Sequence, residues 1–87
     1  MPVTITCTKV KTGTSTVHAE ATADDNHLTW TLIDPPNADR SPTSDGTTAN
    51  GYYAEWTNVT TPTACTVKVQ LGTMNDQKAI PFNAGAC

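Results

Sequence analysis

Two histidines, three cysteines and eight carboxylates are the residues of this 87-residue chain with the clearest chemical potential. Nucleophilic catalysis needs a base within hydrogen-bond reach of a hydroxyl or thiol. His18 lies inside an alternating segment and points to its threonine-bearing face, while His27 opens the next segment at a turn. If those segments pair as a hairpin the two rings fall at opposite ends, too far apart to share a metal or relay a proton. Both therefore read as solvated side chains. Ser15, Ser41 and Ser44 sit in turns and loops outside any Gly-x-Ser-x-Gly context, so no catalytic residue is predicted and the chain is not expected to be an enzyme. Asp24 and Asp25 at one turn, and Asp34, Asp39 and Asp45 around a long loop, could offer oxygens to Ca²⁺. They match no fixed-offset calcium loop, and aspartate forms turns without metal. No metal and no cofactor is predicted.

The cysteines carry the sharper expectation. Three is an odd number, so at most one internal bridge forms and one thiol remains. Cys7 is in phase with Val3 and Ile5, and Cys65 with Val67, Val69 and Leu71, which predicts a Cys7 to Cys65 bridge between inward positions of separate strands and leaves Cys87 unbridged in the tail. In the chain-entropy picture such a bridge is worth about 4 kcal/mol. The alternative is that Cys7 and Cys65 are two buried thiols in a reducing compartment.

The elements that would position these groups follow a period of two. Val17, Ala19, Ala21 and Ala23 share one face of a segment over 16–23, and Leu28, Trp30 and Leu32 one face of the next, the signature of half-buried strands. With Asp25-Asn26 as a two-residue turn, Ala21 would face Trp30 in a hairpin; strands placed in opposite sheets would present the same residues inward. Further strands are expected over 2–11, 52–57, 64–71 and 78–82, the last at an edge because of Pro81. The predicted core is Ile5, Val17, Leu28, Trp30, Leu32, Trp56, Val67, Val69 and Leu71. Tyr52 joins it and Tyr53 points outward. Residues 34–51 hold three prolines and no large apolar side chain until Tyr52. They read as a long loop that could hide a short edge strand near 44–48, and residues 83–87 as a loose tail. The Asn58-Val59-Thr60 triplet is a glycosylation sequon in form, expected by chance in so polar a chain.

Composition bounds the function. A net charge of −3 with five cations gives no footprint for nucleic acid, and no apolar run approaches the ~18 residues of a membrane-spanning helix. About a fifth of the chain is threonine and 15% is charged, a surface suited to strands. Together these features predict an all-β, two-sheet antiparallel sandwich of six to seven short strands, one domain over 1–87.

Leu28-Thr29-Trp30-Thr31-Leu32, with Ala54-Glu55-Trp56-Thr57-Asn58-Val59 leading to Cys65-Thr66-Val67-Lys68-Val69, resembles the immunoglobulin-like domains of phage virion (decoration) proteins and of bacterial surface-protein repeats. The chain departs from antibody domains in its first cysteine, which lies in the first strand, and in Thr63, which stands where a tyrosine corner needs Tyr. The resemblance implies a non-enzymatic structural or adhesive module, foremost a virion decoration or other virion structural protein at the virion surface. A composition typical of exported β-proteins, beside a Met directly before the first strand and no export signal, fits that expectation. The alternatives are an immunoglobulin-like repeat of a bacterial cell-surface or secreted protein, and a small secreted binding or inhibitor module. Expected partners are protein subunits of a larger assembly or a cell-surface ligand, with homo-oligomers compatible; nucleic acid and membrane insertion are not expected. Pro35, Pro36, Asn37, Asp39, Arg40 and Asp45 of the long loop, with Tyr53, are the candidate contact residues.

Overall fold

Alternation becomes seven strands among the described residues, 3–82 and Cys87, of a computed structural model. They are β1 (Thr4–Val10), β2 (Val17–Thr22), β3 (Thr29–Ile33), β4 (Ser44–Thr47), β5 (Tyr52–Trp56), β6 (Thr66–Leu71) and β7 (Met74–Ala79). One 3₁₀ turn, Pro62–Ala64, precedes β6. All pairings are antiparallel, in a four-stranded sheet ordered β1-β2-β5-β4 and a three-stranded sheet ordered β3-β6-β7. The chain is therefore an all-β, two-sheet antiparallel sandwich. β2 and β3 lie in opposite sheets, so the hairpin of Ala21 against Trp30 is not adopted. The complementarity of small and large survives across the layer instead of along a ladder. Ala19, Ala21 and Ala54 pave the inner face of the first sheet, and Trp30, Leu32, Val67 and Val69 fill the space from the second.

The predicted core is seated as expected at Ile5, Val17, Trp30, Leu32, Trp56, Val67 and Val69. Leu28, Leu71 and Tyr52 are only partly buried, packed against its margin. Trp30 and Trp56 meet edge to face at 6.2 Å, a favoured aromatic geometry. Val59 and Ile80 join the core from outside the strands.

Two departures alter the sequence reading. In β1 the register slips between Ile5 and Cys7: Ile5 pairs with Ala21, but Cys7 pairs with Glu20 and Thr8 with Ala19. Thr6 is thus an extra residue in a β-bulge, and one extra residue exchanges the faces of everything after it. Thr8 turns inward, fully buried, its hydroxyl donating to the Ala79 carbonyl at 2.7 Å. Cys7 turns to the outer face, where it is nonetheless buried. Asp76 of β7 reaches across to accept the Ile5 N–H at 2.8 Å, and Thr8 and Phe82 exchange backbone hydrogen bonds, so β1 and the chain after β7 close this side of the sandwich.

The second departure is β7. The last strand was expected only over 78–82; instead Gly72-Thr73 is a two-residue hairpin loop and β7 starts at Met74, opposite Leu71. Gly72 has φ +60°, the positive value that the first central position of a type II′ turn requires. Met74-Asn75-Asp76-Gln77-Lys78 shows no apolar alternation, so the strand is specified by its turn and by backbone pairing.

Candidate functional site

The outer face of the four-stranded sheet brings together groups that are distant in sequence. Strand registry aligns Lys9, His18, Glu55 and Ser44 in one row and Cys7, Glu20, Tyr53 and Gly46 in the next. His18 Nδ1 lies 2.7 Å from Glu55 Oε2 and Nε2 lies 2.8 Å from Glu20 Oε2. A neutral imidazole has one N–H, so the ring satisfies both carboxylates only when it carries both protons. Lys11 adds an ammonium 3.4 Å from Glu55 Oε2. The hydrogen bond from His18, with a smaller contribution from Lys11, outweighs partial burial and holds the Glu55 carboxyl below its ordinary value. Tyr53 stacks on the imidazole at 5.7 Å and 15°, with its ring across Gly46, where an added Cβ would stand 3.0 Å from the ring.

His18 is therefore not the solvated side chain its sequence suggests: only 14% of it is exposed. Both ring nitrogens lie within hydrogen-bond distance of carboxylates, and the ring in turn stacks on Tyr53. His27 is exposed and caps its own turn through Asp25, whose carboxyl is lowered chiefly by the His27 N–H. The pairing of His18 with Glu20 was legible as an i, i+2 placement on one strand face; Glu55 required knowing that β2 pairs with β5.

The disulfide corrects the Cys7 to Cys65 expectation. Cys7 is bridged to Cys87 across a sequence separation of 80, and Cys65 is a buried free thiol. The bulge supplies the reason, since Cys7 lies on the outer face beside Glu20 while Cys65 faces the core. The Cys65 thiol lies 3.3 Å from both Asp34 Oδ1 and the Thr61 carbonyl, two acceptors for its one proton. Burial first, and Asp34 second, push that thiol up to about 11. Of the expected tail, residues 83–86 lie outside the described residues and Cys87 is covalently tied to β1.

The long loop divides. Pro35, Pro36, Asn37 and Asp39 are exposed, as a contact segment requires. Arg40 is half-buried and built into the sandwich: its backbone exchanges two hydrogen bonds with Leu32 at 2.9 Å, its guanidinium donates to the Thr57 carbonyl at 2.5 Å, and its own carbonyl accepts from the Trp56 indole at 3.1 Å. The anticipated edge strand is β4, where Asp45 pairs with Ala54 and shares its core-side face. Tyr53 belongs to the His18 array instead of the loop.

A concavity lies between the sheets at their β3 and β4 edges, about 210 Å³, lined by Asn26, Leu28, Trp30, Asp45, Gly46, Thr47 and Tyr52. It is smaller than the roughly 300–1,000 Å³ of sites for drug-sized ligands. No family model, curated protein or solved structure matches this chain.

Proposed function

We propose that the protein is a non-enzymatic, immunoglobulin-like structural or adhesive module of an extracytoplasmic assembly, foremost a virion decoration or other virion structural protein. The observation that carries this reading is the strand order β1-β2-β5-β4 against β3-β6-β7, which is the ABED and CFG order of constant-type immunoglobulin domains. A core tryptophan on the third strand, Trp30, supports it further. The Cys7–Cys87 bridge favours an oxidising location; such a location equally suits a bacterial surface repeat. Contact with the neighbouring subunits of an assembly falls to the exposed Pro35, Pro36, Asn37 and Asp39 segment and to the Tyr53-bearing face.

Fractionation of the source into purified particles, cell envelope and cytosol, with mass spectrometry for this chain, tests the reading. Recovery with particles or envelope supports it, and recovery in the cytosol alone, with all three thiols reduced, overturns it.

A further inference from the structure

The concavity between β3 and β4 is lined by three apolar or aromatic side chains and one charge. Trp30 and Leu28 approach from the second sheet, Tyr52 from the start of β5, and Asp45 and Thr47 from the core-side face of β4. Asp45 enters none of the ion pairs among the described residues. Asp45 is exposed, and a charge on a short edge strand discourages further strands from pairing there. Of the rings around the same space, Trp30 belongs to the core, and Tyr52, packed at its margin, is only partly buried and free to meet a ligand.

We infer that this cavity is a binding site for an alkylammonium group, occupied in an assembly by a lysine side chain of a neighbouring protein. Three features argue for it. The only formal charge on the lining is negative, and a carboxylate offers acceptors without donors. Aromatic rings attract a cation to their faces and gain strength where water is displaced. Finally, 210 Å³ suits one unbranched side chain better than a folded segment. Asp24 and Asp25, in the turn that also holds Asn26, bring further negative potential to this end of a chain whose net charge is −3. This inference deepens the module reading and rests on it for the source of the lysine.

The test is an NMR titration of the isolated full chain with Nα-acetyl-lysine methylamide. The parallel probes are the Nε-acetylated form of that probe, which is neutral and longer by one acetyl group, and methyl β-glucoside. The site predicts saturable shifts at Leu28, Trp30 and Tyr52 with the ammonium probe, at least tenfold weaker binding of both neutral probes, and about tenfold weaker ammonium binding by Asp45→Asn. Equal response to a neutral probe, indifference to Asp45→Asn, or shifts confined to the Glu20, His18 and Glu55 face would overturn the assignment. Because the isolated chain suffices, such a failure removes the lysine site alone. Failure of the module reading shows separately, as recovery in the cytosol on fractionation.

Discussion

The Cys65 thiol and the His18 ring are the residues whose surroundings most constrain their chemistry. Cys65 is buried with its proton directed to acceptors, and at about 11 its pKa leaves roughly a thousandth of it as thiolate at pH 8, against roughly a tenth for a thiol at 9.0. Iodoacetamide at pH 8 should therefore leave the native protein unlabelled and modify one cysteine once denaturant is added without reductant. Rapid labelling of the native chain would contradict the buried placement. On the outer face, Glu55 is ionised more readily folded than unfolded, chiefly because His18 donates to it. A carboxylate with a depressed folded pKa contributes stability that is fully present above its unfolded value, near 4.5, and is lost as pH falls through the lower folded value. His18→Ala should cost about 1–2 kcal/mol at pH 6 and should flatten the loss of melting temperature below pH 4.5. An unchanged acid limb would remove His18 as the cause. Little of this array was visible in sequence. His18 and Glu20 share a face by spacing, but Glu55 and Lys11 join only once the pairing of β2 with β5 is known.

Among the elements, those with apolar alternation were legible and those without it were not. β2, β3, β5 and β6 each bury one side and show it in period two. β7 pairs through its backbone at an edge, and its polar side chains leave no such trace. β1 was legible only as far as Ile5: residue types do not announce a bulge, and carrying the Ile5 phase onward put Cys7 on the inner face and Thr8 on the outer, the reverse of the structure, although both side chains are buried. That single slip accounts for the mistaken disulfide. The connection into β5 is fixed by a close approach that sequence could not reveal, since an added Cβ at Gly51 would overlap the Ala21 carbonyl oxygen. Gly51→Ala should then cost about 1–3 kcal/mol, lowering the melting temperature by several degrees in calorimetry. A neutral or stabilising result would mean that β2 and β5 do not meet at this register.

At the scale of the molecule, two sheets enclose a small core while the covalent closure lies outside it. The bridge ties Cys87 to an outward position of β1, on the side where Thr8, Phe82 and Asp76 already join the sheets. Linking positions 80 apart constrains the unfolded chain by about 4.5 kcal/mol in the entropic model, a large share of the stability of a domain this size. Reduction, or Cys7→Ser, should lower the melting temperature markedly while keeping the β-sheet circular dichroism at 20 °C, because Cys7, though buried, is not part of the central core cluster. The most direct test of the account is peptide mapping by mass spectrometry of the native protein, alkylated under denaturing, non-reducing conditions. The account predicts a Cys7–Cys87 linked pair and an alkylated Cys65. A Cys7–Cys65 linked pair, or three alkylated cysteines, would contradict both the outward placement of Cys7 and the sandwich closure built on it.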